Sequence, residues 1–176
     1  MKFELLESES AYTGRAFKVR RDHLKTPSGT IVKYDIIEHI GSVIIVPVDE
    51  HGQMYFVRQY RHAAGIDLLE LPAGTLEIGE PPAEAAAREI REEVGMSAQN
   101  LREIGSFYLA PGYSTELMHV FLATGLKHDP LDPDADEYLS VEKMSVSTAL
   151  EFAHNGLMKD AKTLAALFMA KSEITA

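Results

Sequence analysis

One segment of this 176-residue chain, from Gly74 to Met96, constrains the fold more than any other. Pro81 and Pro82 suit the first turn of a helix, where a missing backbone N–H has no consequence. Gly95 suits the position just past a helix C-terminus, where a left-handed backbone is common. The segment therefore predicts an α-helix from about Pro82 to Val94.

The predicted helix has two separate faces. Successive helical residues are rotated by about 100°, which places Glu89, Glu92 and Glu93 within an arc of roughly 100°. We expect these three carboxylates to stay open to solvent, while an apolar stripe on another face packs on a core. The stripe consists of Ala83, Ala86, Ala87, Ile90 and Val94.

Three carboxylates this close together repel one another unless a cation neutralises them. Hard divalent ions such as Mg²⁺ and Mn²⁺ prefer oxygen ligands and usually bind carboxylates, water and substrate phosphates. Arg88 lies four residues before Glu92 and is expected to pair with it. The alternative is a solvated charged helix face, which leaves the upstream Gly74, Gly79 and Glu80 without explanation.

Composition narrows the classes of protein that the chain can belong to. The length suits one domain, and 45% hydrophobic with 25% charged residues is ordinary for a globular protein. No apolar run reaches the roughly 18 residues that a membrane span needs, and the N-terminus lacks an apolar signal core. The absence of cysteine excludes disulfides and favours a cytoplasmic protein. A net charge of −10 argues against nucleic-acid binding, which depends on clustered Lys and Arg.

Turn residues and hydrophobic runs predict the other elements. The predicted strands span about 14–24, 30–39, 42–48, 53–60, 101–109 and 117–123, with a short strand at 136–143. One further helix starts after Ser145 as its N-cap and ends near Asn155. Another covers about 159–171, with Leu164, Leu167 and Phe168 packed inward. Because strands and helices interleave without a regular period, the fold class is α/β with a mixed sheet between helices.

The pattern from Gly74 to Met96 resembles the Nudix box, G-x5-E-x7-R-E-U-x-E-E-x-G-U with U aliphatic, and matches it at every defined position. The resemblance implies an α/β/α sandwich around a mixed β-sheet. It also implies an N-terminal antiparallel β-subdomain, residues 1–40, for dimerisation and substrate binding, before a Nudix hydrolase domain, residues 41–176. The implied reaction is hydrolysis of a nucleoside diphosphate linked to another group, by a metal-activated water.

The same resemblance implies a set of metal ligands. Glu89 and Glu93 are the expected principal ligands, and Glu92 is a further ligand or orients the attacking water. The carbonyl oxygen of Ala73 is an expected backbone ligand. Arg88 is expected to organise the cluster and is counted, with Glu92 and Glu93, among the catalytic residues.

Residues outside the box indicate a branch of the family. Pro111 lies sixteen positions after Gly95 and opens the loop that ends at Glu116. This loop resembles the ADP-ribose pyrophosphatase branch, as do the segments 57–61, 70–74 and 159–163. The branch implies a homodimer that uses Mg²⁺ or Mn²⁺ to cleave ADP-ribose to AMP and ribose 5-phosphate. The alternatives are the same chemistry on another nucleoside diphosphate sugar, and a catalytically silent nucleotide sensor.

The branch also implies a general base. Glu116 is the candidate to remove a proton from the attacking water or to position it, a role typically worth 10²–10⁴-fold in rate. The alternative is an exposed charge at the start of a strand. Glu93 is a second candidate for the base, because water bound to metal ions is already acidic.

Four further residues are candidates for contacts with the substrate. Arg61 and Arg58 are expected to hold the diphosphate, since a guanidinium offers a bidentate fork to phosphate oxygens; the alternative for each is a salt bridge. Tyr34 and Phe17 are candidates to stack the adenine, and the alternative is strand packing. Glu80 is expected as a supporting carboxylate beside these substrate-binding residues.

Overall fold

The computed structural model describes residues 2–15, 17–132 and 138–175. The chain forms two compact units, one of Met1–Gly41 with Phe107–Leu117 and one of Ser42–Ser106 with Met118–Ala176. In the described parts of the chain, no helix combines the length and the apolar composition needed to cross a membrane.

The first unit contains an antiparallel sheet in the order β1-β2-β3. The strands are β1 (Glu4–Thr13), β2 (Lys18–Lys25) and β3 (Ile31–Glu38). A turn joins β2 to β3, where Gly29 adopts φ 88° and donates its N–H to the carbonyl of Thr26 at 2.9 Å. The sequence predicts β2 and β3 but not β1, because all ten residues of β1 are exposed and show no buried face.

The loop before Glu116 belongs to this first unit and is fixed to the end of β3. Ile37 donates its N–H to the carbonyl of Tyr113 at 2.7 Å, and the N–H of Thr115 donates to the carbonyl of Ile37 at 3.0 Å. The Thr115 hydroxyl also accepts the N–H of His39 at 2.8 Å. These bonds hold the backbone of the loop immediately before Glu116.

The second unit contains two sheets, in the orders β7-β4-β9-β8 and β10-β5-β6. The strands are β4 (Ser42–Pro47), β5 (Gln53–Arg61), β6 (Ile66–Glu70), β7 (Ala73–Thr75), β8 (Met96–Tyr108), β9 (Leu117–His128) and β10 (Leu139–Ser145). Strand β4 pairs parallel with β9 and antiparallel with β7, so the sheet is mixed as predicted. The short strands β6 and β7 are not predicted from the sequence. Asp136 and Glu137, the start of the predicted last strand, lie outside the described residues.

Three helices lie in the described part of this unit: α1 (Pro82–Val94), α2 (Val146–His154) and α3 (Ala161–Ile174). Helix α1 has the predicted bounds, and Gly95 ends it in the left-handed conformation with φ 69°. Strand β4 is buried along its whole length, and its Val43 and Ile45 pack with Ala86 and Ile90 of α1. Helix α3 also contacts β4. Burial against β4 therefore fixes the orientation of α1.

Two predictions about helix faces are wrong. Ala83 and Ala87 of α1 are exposed, whereas Ala85, Glu89 and Glu93 are buried. The covered face of α1 is therefore rotated toward the carboxylates, because β7 as well as β4 packs on it. Phe168 of α3 is 80% exposed, so it does not pack inward with Leu167.

The start of α2 gives a test of local stability. The Ser145 hydroxyl accepts the N–H of Thr148 at 3.1 Å, which satisfies a backbone donor of the first helical turn. Ser145→Ala should lower the free energy of unfolding by about 1 kcal/mol, measured by urea denaturation. Ser172→Ala, on the exposed surface of α3, is the control and should not destabilise the protein. Equal losses in the two variants would contradict the capping role.

Candidate active site

The guanidinium of Arg88 on α1 connects three carboxylates. Its Nε and Nη2 each donate to Glu80 at 3.0 Å, and its Nη1 donates to Glu89 at 2.7 Å and to Glu92 at 2.9 Å. The predicted pairing of Arg88 with Glu92 is therefore present. The hydrogen bond to Glu80 is the largest cause that raises the pKa of Arg88 above its usual range, so this side chain stays charged.

Glu80 is held in place by the turn that precedes α1. Its carboxylate accepts the N–H of Glu77 at 2.8 Å, and its own N–H donates to the carbonyl of Glu77 at 3.0 Å. The hydrogen bond from Arg88 is the largest cause that lowers the pKa of Glu80. Glu80 therefore holds the guanidinium of Arg88 in place, and its predicted part in substrate binding stays a prediction.

Glu93 is only 4% exposed and lies against β7. Its Oε2 accepts the backbone N–H of Ala73 at 2.8 Å. The backbone around Ala73 is fixed from the other side, because Ala73 is paired with Ile44 of β4 and the carbonyl of Pro72 accepts the N–H of Ile45 at 2.9 Å. The predicted backbone ligand Ala73 and the predicted carboxylate ligand Glu93 are thus in direct contact.

Gly74 is needed because the carboxylate of Glu89 lies directly against it. A Cβ atom at residue 74 would lie 1.9 Å from Oε1 and 2.0 Å from Cδ of Glu89, distances that no pair of unbonded atoms tolerates. Glu89 is 7% exposed. Glycine at this position therefore opens the space that brings a buried carboxylate onto the backbone of β7.

The arrangement differs from the open metal site that the sequence predicts. Glu89 and Glu92 point to Arg88, and Glu93 points to Ala73, so no three His, Cys, Asp or Glu side chains among the described residues enclose a position for a metal ion. The donor chemistry still fits a hard divalent ion. Four carboxylates and a backbone carbonyl supply only oxygen, the ligand type that Mg²⁺ and Mn²⁺ prefer.

Arg61 lies at the end of β5 and reaches toward the same region. Its Nε and Nη2 donate to Glu70 of β6 at 2.7 and 2.8 Å. This hydrogen bond is the largest cause that raises the pKa of Arg61, and the negative charge of Glu93 contributes to the same shift. Arg61 therefore lies within the electrostatic reach of Glu93 of α1, and 41% of its side chain is exposed.

Arg58 is not brought to this cluster. Side chains alternate along a strand, so Arg58 and Arg61, three residues apart, point to opposite faces of β5. Val57, on the same face as Arg61, packs in the core with Ile90 of α1. Arg58 instead donates to Glu142 of β10 at 2.5 and 3.2 Å. The salt bridge, which is the alternative interpretation of both arginines, is therefore found at Arg58 as it is at Arg61.

The remaining candidates lie in the first unit. Glu116 is half-buried rather than an exposed charge, and its N–H donates to the hydroxyl of Ser114 at 3.2 Å. Tyr34 and Phe17 are both exposed. Tyr34 meets the ring of Phe3 edge-on with centroids 6.3 Å apart, and Phe17 lies 6.1 Å from the ring of Tyr12. Each aromatic ring keeps an open surface, so both adenine contacts stay predictions.

Three residues near Arg61 have no role predicted from the sequence: Glu70, Lys162 and Thr163. Glu70 is 1% exposed and binds both Arg61 and Lys162, and Thr163 accepts the N–H of Leu71 at 2.9 Å. Residues 70 and 162 are 92 positions apart, too far for any local pattern to connect them. Two signals are available: the charged Glu70 within the apolar segment 68–72, and the resemblance of segments 70–74 and 159–163 to one branch of the family.

Known proteins resemble this chain over most of its length. The NUDIX domain model matches residues 38–167. The ADP-ribose pyrophosphatase of Mycobacterium tuberculosis (strain ATCC 25618 / H37Rv) is 48% identical over 126 residues, 71% of this chain and 61% of the relative. This chain thus spans less than two thirds of that protein's length. The ADP-ribose pyrophosphatase of Bacillus subtilis (strain 168) is 33% identical over 164 residues, 92% of this chain and 89% of the relative.

Among solved structures, the crystal structure of an ADP compounds hydrolase superimposes with a TM-score of 0.90. The two chains are 25% identical, and the match covers 99% of this chain and 95% of the other. This match confirms the predicted fold class. Since the family model covers residues 38–167 and a relative that is 33% identical matches 92% of the chain, the protein belongs to the NUDIX family.

Proposed function

We propose that this protein hydrolyses the diphosphate of ADP-ribose to AMP and ribose 5-phosphate with Mg²⁺ or Mn²⁺ as its cofactor. The observation that carries the proposal is the carboxylate cluster of α1, held by Arg88 and pressed onto the Ala73–Gly74 backbone. Two relatives named ADP-ribose pyrophosphatase support the choice of substrate. Another nucleoside diphosphate sugar is the nearest alternative substrate.

The cation would be held by the carboxylates of Glu89, Glu92 and Glu93 and by the carbonyl oxygen of Ala73. When bound, the cation would neutralise charge on the diphosphate and lower the pKa of a bound water, so that hydroxide becomes available to attack phosphorus. Glu80 accepts hydrogen bonds from Nε and Nη2 of Arg88. These bonds would keep the guanidinium in place if Glu89 and Glu92 left Arg88 to bind the cation. Arg88 is therefore an organiser of the site.

Further residues would hold the diphosphate of the substrate and accept a proton from the attacking water. Arg61 offers the Nη1 edge of its guanidinium to the diphosphate, because Glu70 already occupies Nε and Nη2. Glu116 accepts the proton of the attacking water, and Glu93 is the alternative acceptor. Tyr34 and Phe17 offer exposed rings for the adenine. Arg58 has no part in this scheme, since it points to the other face of β5.

Three properties belong to the same proposal. The N-terminal β-subdomain of residues 1–40 is assigned to dimerisation and substrate binding, and the protein is assigned to the cytoplasm as a homodimer. Hydrolysis of a panel of ADP-ribose, UDP-glucose and GDP-mannose, with product identification, tests the substrate. Preference for another sugar nucleotide would redirect the proposal, and binding without turnover would indicate the nucleotide sensor.

Gly74→Ala tests the contact between Glu89 and β7. The added Cβ displaces the Glu89 carboxylate, which should weaken binding of Mn²⁺ and lower kcat on the order of 10²-fold or more, because a charged group is moved from its productive place. Calorimetry with Mn²⁺ and steady-state kinetics measure the two effects. A folded Gly74→Ala protein with wild-type Mn²⁺ affinity and kcat would show that the contact is dispensable.

Glu93→Gln tests the role of charge in the cluster. Glutamine keeps an acceptor oxygen for the N–H of Ala73, so the fold should persist while the negative charge is lost. We expect kcat to fall by roughly 10²–10³, as when one preorganised electrostatic group is removed. Glu84→Gln, an exposed position on the same helix, is the matched control and should retain wild-type kcat. Equal activities of the two variants would remove Glu93 from the mechanism.

Glu116→Gln tests the general base. If Glu116 accepts the proton, kcat should fall by roughly 10²–10⁴ with KM and metal affinity nearly unchanged, because the loss occurs in the transition state. The acidic limb of the pH profile of kcat should also disappear or shift. Glu50→Gln, in an exposed turn, is the control. Wild-type kcat together with the wild-type acidic limb would transfer the base role to Glu93.

A further inference from the structure

A second set of charged groups, distinct from the α1 carboxylates, surrounds the buried Glu70. We call Arg61, Glu70, Lys162 and Asp160 the Glu70 network. Glu70 is 1% exposed, and a buried carboxylate is strongly destabilising unless it is paired and hydrogen-bonded. Burial alone would raise the pKa of Glu70, but the hydrogen bond from Arg61 and the charge of Lys162 outweigh it and hold the pKa below its usual range. Glu70 therefore stays ionised between two cations.

The second cation, Lys162, is fixed at the start of α3. Its Nζ binds Oε2 of Glu70 and lies 3.0 Å from Oδ2 of Asp160. Asp160 is the N-cap of α3, and its Oδ2 accepts the N–H and the hydroxyl of Thr163 at 3.0 and 2.7 Å. The Thr163 hydroxyl in turn accepts the N–H of Leu71. Lys162 is thus tied to a helix start that is itself bonded to the backbone next to Glu70.

The network has one open end. The side chains of Lys162 and Asp160 are 12% and 14% exposed, whereas that of Arg61 is 41% exposed. Oε2 of Glu70 is shared by Nη2 of Arg61 and Nζ of Lys162. Because Lys162 of α3 holds the Glu70 carboxylate in place, both of its oxygens accept hydrogen bonds from Nε and Nη2 of Arg61. The Nη1 group of the guanidinium then points away from Glu70. Arg61 is therefore the member of the network that can contact a ligand.

We propose that Lys162 is a positioning residue that acts through Glu70 to hold Arg61 in the orientation that receives the diphosphate of the substrate. This inference rests on the proposed function, in which Arg61 binds that diphosphate. Without Lys162, Glu70 would have Arg61 as its remaining cation. The carboxylate would lose its anchor on α3, and the guanidinium that is bound to it through Nε and Nη2 would lose its fixed orientation. Substrate binding would weaken, while the carboxylates of α1 would be untouched.

A double-mutant cycle on hydrolysis of ADP-ribose tests this coupling. Lys162→Met removes the charge and keeps an apolar stem of similar length. We expect KM to rise on the order of 10-fold, as for loss of one charge-assisted hydrogen bond, with kcat changed by less than about 2-fold. Arg61→Gln should raise KM at least as much. The double variant should have the KM of Arg61→Gln alone, because Lys162 acts only through Arg61.

The matched control is Lys171→Met, the same substitution at an exposed position of the same helix, which should retain wild-type KM. Lys162→Met leaves a buried carboxylate with one cation fewer, so folding is checked by thermal unfolding. If Lys162→Met unfolds, the double variant Glu70→Gln/Lys162→Met is used instead, because it removes the charges of both Glu70 and Lys162. This double variant should fold and should show the raised KM expected of Lys162→Met. Three results would overturn the proposal. Lys162→Met could raise KM as much in the Arg61→Gln background as in the wild type, or it could lower kcat and leave KM unchanged. Lys171→Met could also raise KM as much as Lys162→Met does.

The outcome separates this inference from the proposed function. Turnover of ADP-ribose with additive KM effects overturns only the positioning role of Lys162. If the wild type does not turn over ADP-ribose, the proposed substrate is wrong, and the same cycle is measured on binding of ADP by calorimetry. Coupling of Lys162 to Arg61 in ADP binding supports the positioning role even then. Additive effects, or no binding of ADP, overturn it.

Discussion

Burial of ionised carboxylates is the constraint on which the site depends. Glu70, Glu89 and Glu93 are each less than 10% exposed, and a charge removed from water destabilises the fold unless close partners replace the lost hydration. The partners are supplied by Arg88, by the N–H of Ala73, and by Arg61 with Lys162. Strand β7 is only three residues long, but two of its residues accommodate these carboxylates. The N–H of Ala73 donates to Glu93, and Gly74 leaves space for the carboxylate of Glu89.

The sequence predicts α1 with its observed bounds because the signals for its two ends are local. Pro82 fits the first turn and Gly95 fits the left-handed residue after the last turn, and neither depends on the rest of the fold. The covered face is a different matter. Ala87 fits an apolar stripe and is exposed, whereas Glu93 fits a solvated face and is buried. Periodicity identifies a helix, but the strands that pack on it decide which side is covered.

Other features that are not predicted from the sequence also depend on long-range contacts. Strand β1 has ten exposed residues, so no hydrophobic alternation distinguishes it from a loop. The pairing of Glu70 with Lys162 joins residues 92 positions apart. The separation of Arg58 from Arg61 is different, because an odd spacing within one strand already places the two side chains on opposite faces. That separation follows once the strand is known to reach Arg61, one residue beyond its predicted end, whereas no local pattern indicates the partners of Glu70.

The two charged groups of the second unit differ in balance, and this difference assigns their roles. In the Glu70 network, Arg61 and Lys162 match the charges of Glu70 and Asp160. Around Arg88, one guanidinium faces Glu80, Glu89 and Glu92, with Glu93 beside them. A balanced network needs no further ion and can serve as a rigid support. A cluster of carboxylates, in contrast, is the kind of ligand set that an added cation stabilises. We therefore propose the Glu70 network as a rigid support and the α1 carboxylates as the reactive group, with Arg61 between the two.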